Sequence, residues 1–276
     1  MEVFETVEAF RRARAKLGEL GLVPTMGYLH EGHLQLVRRA RAECEAVAVS
    51  IFVNPTQFGP HEDFERYPRD LNRDLDLLAR EGVDLVFAPS VEEMYPAPYS
   101  TYVIVEDVTD VLEGAARPGH FRGVATVVCK LLNIAQPTRA YFGQKDAQQT
   151  VVVRRMVRDL NIPTEIVVVP TQREPDGLAM SSRNVYLTPE QRAVAPTIYR
   201  ALEAARAAYE QGERDAEELR RAMRRVLDAE PQLKTEYASV ADPLTLQELE
   251  RVGERGALVS IAARLGPVRL IDNMLL

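Results

Sequence analysis

Short runs rich in Val, Ile and Ala alternate with amphipathic stretches over about the first 170 residues of the chain. The apolar runs predict strands over 21–25, 46–53, 84–88, 101–105, 139–142 and 164–169. The amphipathic stretches predict helices over 10–20, 31–44, 69–80, 124–135 and 147–160. Apolar runs bounded by helices are typical of a parallel sheet that is covered on both faces. The alternation therefore predicts an α/β fold with a Rossmann-like, doubly wound parallel sheet.

The alternation of strands and helices ends at about residue 171. Residues 189–233 are rich in Ala, Glu and Arg and have helical periodicity, interrupted near Gln211 and Gly212. Short strands are predicted after them, near 235–240, 257–263 and 268–272. Helices followed by strands are typical of an α+β domain, and a chain of this length holds about two domains. We therefore predict a larger domain over 1–171 and a smaller C-terminal α+β domain over 172–276.

The charge balance excludes some classes of partner. The chain has 34 basic and 41 acidic residues, a net charge of −7, which opposes bulk attraction to nucleic acid or anionic lipid but allows a local basic pocket. No segment has about 18 consecutive apolar residues, and the start, Met1 to Glu5, is acidic where a signal peptide is cationic. Cys44 and Cys129 lie in predicted helices and fit a reduced compartment. We expect a cytoplasmic protein without nucleic-acid or membrane partners.

The first candidate site follows the strand predicted over 21–25, where a helix begins with His30-Glu31-Gly32-His33. A helix start offers free N–H groups and the positive end of the dipole, which together bind phosphate. Two imidazoles three residues apart lie on one helical face, so both can reach one anion. Exposed surface histidines are one alternative, and a metal site is another, although zinc would need a third ligand that the neighbouring sequence does not offer. We interpret the motif as a nucleotide site.

A second candidate site follows the strand predicted over 46–53. Asn54 and Gln57 carry neutral amides that can orient a hydroxylated or carboxylated substrate. The alternative is that Asn54-Pro55 simply opens a turn.

Lys145 stands out in the Gly-Gln-Lys-Asp segment 143–146, between a predicted strand and a predicted helix. A lysine at a helix start opposes the dipole, so we expect it to meet an anion. The alternative is a solvated loop. Asp146 is expected to cap the helix that follows.

Two loops complete the candidates. Ser181, Ser182 and Arg183 follow Gly177 and form a polar segment that can bind an anion and close as a flap, with a plain linker as the alternative. Arg117 lies in a glycine-bearing loop suited to a carboxylate or a phosphate.

Together these motifs resemble the pantoate–β-alanine ligase (pantothenate synthetase) family. The similarity rests on Val-Pro-Thr-Met-Gly (23–27), Ile-Phe-Val-Asn-Pro-Thr-Gln-Phe (51–58), Arg-Pro-Gly-His-Phe-Arg-Gly-Val (117–124), Gly-Gln-Lys-Asp (143–146) and Met-Ser-Ser-Arg-Asn (180–184). His-x-Gly-His by itself occurs across the nucleotidylyltransferase and class I aminoacyl-tRNA synthetase superfamily, so the other segments carry the family resemblance. The similarity weakens over roughly the last hundred residues.

The resemblance implies a reaction in two steps. ATP and pantoate form pantoyl adenylate and pyrophosphate, and β-alanine then attacks to release pantothenate and AMP. The resemblance also implies a homodimer and a lid role for residues 172–276. Such chemistry depends on positioning the carboxylate and stabilising the charge that builds on the phosphates.

The resemblance also implies roles for individual residues. It implies ATP contacts at Met26, Gly27, Tyr28, Leu29, His30, Glu31, Gly32, His33, Gly143, Gln144, Lys145, Asp146, Gln172, Met180, Ser181, Ser182 and Arg183. The resemblance implies that six of these residues are catalytic and contact the reacting phosphates, and that His33 is also the proton donor. The six are His30, His33, Lys145, Ser181, Ser182 and Arg183. Substrate contacts are implied at Gln57 and Gln149, and expected at Asn54 and Arg117.

Mg²⁺ is implied between the phosphates, whose charge needs neutralisation. Asp74 is the candidate partner of the ion, through water. The alternative is that Asp74 belongs to a charged, solvated helix face.

Two other functions remain open from the sequence. A nucleotidylyltransferase that acts on a phosphorylated acceptor would share the histidine motif, but it does not account for Gln57 and Gln149. A non-catalytic nucleotide-binding module of the same fold would tolerate loss of Lys145 or His33, yet the chain has both.

Overall fold

A parallel sheet and a smaller antiparallel sheet organise the computed structural model, which describes residues 1–60 and 62–276. The strands are β1 (Glu2–Phe4), β2 (Leu20–Thr25), β3 (Ala46–Ile51), β4 (Leu85–Phe87), β5 (Arg139–Gly143), β6 (Glu165–Val169), β7 (Leu233–Ala241), β8 (Leu258–Leu265) and β9 (Val268–Leu275). The α-helices are α1 (Val7–Arg14), α2 (Glu31–Glu43), α3 (Leu71–Arg80), α4 (Val91–Met94), α5 (Glu113–Ala116), α6 (His120–Ala135), α7 (Ala147–Asp159), α8 (Pro189–Val194), α9 (Thr197–Glu210) and α10 (Ala216–Leu227). Short 3₁₀ turns lie at Pro55–Gln57, Gln144–Asp146 and Ser182–Tyr186.

The described residues form a six-stranded parallel sheet in the order β1-β4-β3-β2-β5-β6. From β2 the chain adds β3 and β4 on one side, and β5 and β6 on the other. The direction of winding therefore reverses between β2 and β5. Ligands of doubly wound sheets bind in the crevice that such a reversal opens at the carboxyl ends of the strands. The predicted fold class is confirmed.

Alternation of side chains along β2 and β3 builds two cores, because successive residues of a strand point to opposite faces of the sheet. Leu22 of β2 packs in the cluster that contains Phe10 of α1. Val23, the next residue, packs in the cluster that contains Val37 of α2. Helices α1, α6 and α7 cover the first face, and α2 and α3 cover the second.

The C-terminal part of the chain has the predicted order of helices before strands. Helices α9 and α10 pack on each other and on the antiparallel sheet β7-β8-β9. Together they enclose a separate hydrophobic cluster that includes Leu202, Met223 and Ile261.

Two predictions of secondary structure are wrong, and one strand was missed. Residues 101–105 form no strand, because the Val103 N–H donates to Thr126 Oγ1 on α6, at 3.0 Å, rather than to a neighbouring strand. The helix predicted over 10–20 is α1, which begins earlier, after the N-cap Thr6, and leaves Leu20 to β2. Strand β1 was not predicted, since three residues are too few to establish a period.

Helix α6 is apolar on most of its surface, because it lies between the parallel sheet and other helices. Val124, Val128 and Leu132 are among its buried residues. Neither α6 nor any other helix in the described ranges is both long and apolar enough to cross a membrane.

The start of α6 touches the loop after β3 through Gly123. A Cβ at this position would lie 2.3 Å from the Thr56 carbonyl oxygen and 2.6 Å from the Gln57 Cα. Both contacts are with backbone, which cannot rotate away as a side chain can. Glycine therefore permits the close approach that places Gln57 against the start of α6.

Gly123→Ala should destabilise the protein by about 1–3 kcal/mol, the usual effect of overpacking a closely packed region. Alanine normally stabilises a helix relative to glycine by about 0.5–1 kcal/mol, so the clash must reverse the sign. Denaturant unfolding checks the free energy. Gly253→Ala is the control, because a Cβ at Gly253 meets no atom within 4 Å, and its change should stay within about 0.5 kcal/mol. Unchanged stability of Gly123→Ala would contradict the packing argument.

Candidate active site

The predicted motifs meet at the carboxyl ends of β2, β3, β5 and β6, where the winding reverses. They line one cavity of about 220 Å³. The predicted site residues that line this cavity are Met26, His30, Gly32, His33, Asn54, Gln57, Arg117, Gly143, Lys145, Asp146, Gln149, Gln172, Met180, Ser181, Ser182 and Arg183. Other predicted residues do not line it, namely Gly27, Tyr28, Leu29, Glu31, Asp74 and Gln144.

Asp74 holds the turn between β2 and α2. Its Oδ2 accepts the Tyr28 N–H and its Oδ1 accepts the Leu29 N–H, each at 2.7 Å. Gly27 and Tyr28 have φ angles of 79° and 50°, so two consecutive residues of the turn are in the left-handed region. Asp74 is only 1 % exposed. The solvated-face alternative is therefore wrong, and the carboxylate faces backbone rather than the cavity.

His30 and His33 have a defined orientation. His30 is the N-cap of α2, and its Nδ1 accepts the Gly32 N–H at 3.1 Å. The Nδ1 of His33 accepts the His30 N–H at 3.3 Å, and the two ring centroids are 4.0 Å apart. An imidazole nitrogen that accepts carries no proton, so each neutral ring has its proton on Nε2. Gly32 makes room for this arrangement, because a Cβ there would lie 2.9 Å from His30 Cε1.

The surroundings keep both imidazoles neutral. Burial, followed by the charge of Lys145, lowers the pKa of His30 to about 4. Burial, followed by His30, lowers the pKa of His33 to about 3. The rings therefore offer two Nε2–H donors to an anion at neutral pH.

The metal alternative finds no support in the geometry. Residues 1–60 and 62–276 contain no group of three or more His, Cys, Asp or Glu side chains that could hold a metal ion.

Lys145 lies at the cavity, in the 3₁₀ turn before α7, with 22 % of its side chain exposed. Its Nζ is 3.3 Å from Asp146 Oδ1. Asp146 precedes α7 but its side chain caps no helix N–H, so the expected cap is wrong. Burial disfavours the charge of Asp146, but the surrounding groups, chiefly Lys145 and then Arg183, together outweigh burial and lower the pKa of this carboxyl.

The turn that carries Lys145 is held by β9, far along the chain. Asn273 Nδ2 donates to the carbonyls of Gln144 and Lys145, at 2.9 and 2.8 Å. Gln144 returns the contact through Nε2, which donates to Asn273 Oδ1 at 2.9 Å. This explains why Gln144 points away from the cavity. No signal in the sequence identified Asn273.

The amide of Asn54 is occupied by the protein. Its Nδ2 donates to Gln57 Oε1 at 3.0 Å and to the Gly123 carbonyl at 3.2 Å. Its Oδ1 accepts the Tyr95 hydroxyl at 2.8 Å and the Thr56 N–H at 3.3 Å. Asn54 thus opens a turn, as the alternative holds, and the same contacts orient Gln57.

The two predicted anion-binding arginines are paired with adjacent carboxylates. Arg117 donates from Nε and Nη2 to the two oxygens of Glu62, each at 2.7 Å. Arg183 donates from Nε and Nη2 to Asp63, at 2.9 and 2.8 Å. Burial opposes the charge of Arg183, but the pairing with Asp63 raises its pKa. Sequence reasoning missed Glu62 and Asp63, because an acidic pair in a polar loop is more often solvated.

The segment with Ser181 and Ser182 is ordered by contacts rather than free as a linker would be. Ser182 is buried, and its Oγ donates to the Tyr28 carbonyl at 3.3 Å. Ser181 Oγ accepts the Arg183 N–H at 3.3 Å. The segment therefore packs against the turn that carries the histidines.

At pH 7 His30 and His33 should both be neutral Nε2–H tautomers in the ligand-free protein. Long-range ¹H–¹⁵N correlation spectra, assigned with His30→Asn and His33→Asn, measure this directly. We expect titration near pH 4 for His30 and near pH 3 for His33. Either ring as an Nδ1–H tautomer, or a pKa near 6.5, would contradict the geometry.

The same shifts make stability depend on pH. Both pKa values lie below the 6.5 of an unperturbed imidazole, so the unfolded state binds more protons between about pH 6.5 and 4. The contribution of these residues to the free energy of unfolding should therefore be present above pH 6.5 and decrease as pH falls through that window. The free energy of unfolding, measured against pH for the wild type and for His30→Asn and His33→Asn, isolates this contribution. Curves that run parallel for all three proteins would contradict the prediction.

A family model and three similar proteins carry the names pantoate-beta-alanine ligase or pantothenate synthetase. A family model described as pantoate-beta-alanine ligase matches residues 2–275. Pantothenate synthetase from Chloroflexus aggregans is 71 % identical over 276 residues, covering 100 % of both chains. The crystal structure of pantothenate synthetase from Thermus thermophilus has a TM-score of 0.96 and 55 % identity, over 99 % of each chain.

A third similar protein was crystallised with ligands. The pantoate-beta-alanine ligase from Francisella tularensis, complexed with beta-gamma ATP and beta-alanine, has a TM-score of 0.82 and 37 % identity, over 100 % of this chain and 97 % of its own. The matches cover essentially the whole chain on both the sequence and the structural side. The chain therefore belongs to the pantoate–β-alanine ligase family of enzymes.

Proposed function

We propose that the chain condenses pantoate with β-alanine in an ATP-dependent, AMP-forming reaction through pantoyl adenylate. One observation carries the proposal: His30, His33 and Lys145 line the same cavity as Gln57 and Gln149. Cationic and N–H donors for phosphates thus lie beside neutral amides for an organic acid. The similar Francisella enzyme, crystallised with beta-gamma ATP and beta-alanine, agrees with this pairing of ligands.

In the first step a carboxylate oxygen of pantoate bonds to the α-phosphorus of ATP. The bond from that phosphorus to the bridging oxygen breaks, and pyrophosphate leaves with the electron pair. Charge builds on the phosphate oxygens, and donors already in place stabilise it without rearrangement. We assign this role to the Nε2–H groups of His30 and His33, and to Lys145. With its low pKa, His33 serves as a hydrogen-bond donor rather than as an imidazolium that gives up a proton.

Ser181, Ser182 and Arg183 are proposed to contact the phosphates from the opposite side. They line the cavity together with Met180 and Gln172. Arg183 donates to Asp63 in the ligand-free protein. Phosphate oxygens accept from a guanidinium as carboxylate oxygens do, so we propose that they either join Asp63 as partners of Arg183 or replace it.

Pantoate is proposed to lie between the amides and an apolar wall. Gln57 and Gln149 can bond its hydroxyl and carboxylate groups. Val127, Val128 and Leu131 line the same cavity, and their methyl groups suit the two methyls of pantoate. In the second step the amine of β-alanine attacks the acyl carbon, the acyl–phosphate bond breaks and AMP leaves, while the amine loses a proton.

Mg²⁺ does not fit a site built from protein side chains here. Among the described residues Asp146 lines the cavity and is paired with Lys145, while Glu62 and Asp63 are paired with the lining residues Arg117 and Arg183. Asp74 is occupied by two backbone N–H groups. We therefore propose that Mg²⁺ is held by ATP phosphates and water, as this ion usually is.

We further propose that residues 172–276 act as a lid over a catalytic domain of residues 1–171. The support is that Met180 to Arg183 line the cavity and that Asn273 holds the backbone of Lys145. The homodimer and the cytoplasmic location stay predictions.

Labelled pyrophosphate should exchange into ATP when pantoate is present and β-alanine is absent, because the first step is reversible and complete without the amine. Exchange that requires a phosphorylated acceptor would favour a nucleotidylyltransferase. ATP binding without exchange, under any acid tested, would favour a non-catalytic module.

His33→Ala and Lys145→Ala should each lower the exchange rate by about a hundredfold or more, because each removes a contact to the charge that develops in the transition state. Lys234→Ala is the matched control, since Lys234 is exposed on β7 and remote from the cavity lining. Thermal unfolding verifies that all three variants fold. A normal rate in either cavity variant would show that the phosphate site is misassigned.

A further inference from the structure

His120 is a further imidazole at the cavity, at the first residue of α6, and the proposed chemistry does not use it. It lies between Gln57, to which the proposal assigns a pantoate contact, and Arg117, which the sequence analysis expected to contact substrate. Its Nδ1 is 2.8 Å from the Gln57 carbonyl oxygen, and its Nε2 is 3.0 Å from Arg117 Nη1.

These two partners determine the tautomer of His120. A carbonyl oxygen can only accept, so Nδ1 must carry the proton. A guanidinium can only donate, so Nε2 must be the bare nitrogen. His120 is therefore the Nδ1–H tautomer, opposite to His30 and His33. Burial, followed by the charge of Arg117, lowers the pKa of His120 to about 4, so the ring is neutral at pH 7 as this arrangement requires.

The contacts continue on both sides of the ring. Arg117 is held by Glu62 through Nε and Nη2, and His120 takes the remaining Nη1, so all three guanidinium nitrogens have a partner. Gln57 is held by its carbonyl through His120 and by its side-chain oxygen through Asn54. Hence a continuous chain of hydrogen bonds runs from the Glu62 carboxylate through Arg117 and His120 to the backbone carbonyl of Gln57, the residue whose amide lines the cavity.

We propose that His120 is a positioning residue for pantoate, which orients Gln57 and ties it to Arg117 without touching substrate itself. The inference rests on the proposed function, in which Gln57 binds pantoate. His30, His33 and Lys145 are not members of this chain of hydrogen bonds. Loss of His120 should therefore weaken the use of pantoate while leaving the use of ATP nearly unchanged.

Two near-isosteric variants separate the contacts of the ring. In His120→Asn the amide nitrogen can take the place of Nδ1 and keep the bond to Gln57, but no acceptor remains for Arg117. In His120→Gln the amide oxygen can take the place of Nε2 and keep Arg117, but the donor to Gln57 is lost. His120→Ala removes both contacts.

The test measures KM for pantoate, KM for ATP and kcat in the pyrophosphate exchange assay. We expect His120→Ala to raise KM for pantoate by about tenfold or more, with KM for ATP within about twofold of the wild type. His120→Asn should recover most of the pantoate KM, and His120→Gln should recover less. NMR of the ligand-free wild type should show the Nδ1–H tautomer of His120.

Several outcomes would overturn the inference. Unchanged KM values in His120→Ala would do so, as would equal increases for pantoate and ATP in all three variants, which indicate a general structural role. An Nε2–H tautomer would remove its geometric basis even if one variant failed to fold. A wild type that shows no pantoate-dependent exchange would instead overturn the proposed function itself, and the positioning role would fall with it.

Discussion

The carboxylate of Asp74 holds the turn on which the candidate site depends. After β2 the chain passes through two left-handed residues, Gly27 and Tyr28, and leaves two consecutive N–H groups, those of Tyr28 and Leu29, without a helix or strand partner. A buried N–H without a partner costs about 1–3 kcal/mol, so one ionised side chain that accepts both has a large effect on this turn. Because the turn ends at His30, the same bonds decide where α2 begins and how its imidazoles face the cavity.

The cations of the site are held in place before any ligand arrives. Asp146 pairs with Lys145, Glu62 with Arg117 and Asp63 with Arg183. An unpaired charge in a partly buried cavity is costly, and a flexible one would have to be ordered at the moment of reaction. Carboxylates of the chain thus keep cationic side chains in positions where phosphate oxygens, which are acceptors of the same kind, can join or replace them. A chain with a net charge of −7 can in this way present cationic side chains to a ligand while their charges are balanced by its own carboxylates.

The sheet was predictable because its signals are local and repeated. Strands β2, β3 and β5 begin and end within a few residues of the predicted limits, since each is an apolar run bounded by a helix or a turn. The extended segment 101–105 has the same apolar character but has no strand partner, because α6 supplies the acceptor for its Val103 N–H. Periodicity reports which face of a segment is apolar, and not which neighbour takes its backbone hydrogen bonds.

The sequence by itself determined that polar loops follow successive strands of a parallel sheet, and therefore that His30, Gln57 and Lys145 meet at one edge. It also determined the family, because several short segments occur together in order. Only the tertiary structure decided which groups orient these side chains: Asp74, Glu62, His120 and Asn273 act on partners 45 or more residues away in the chain. A carboxylate or an amide looks the same in sequence whether it faces water or a backbone N–H, because its role depends on neighbours that chain folding alone brings within about 3 Å.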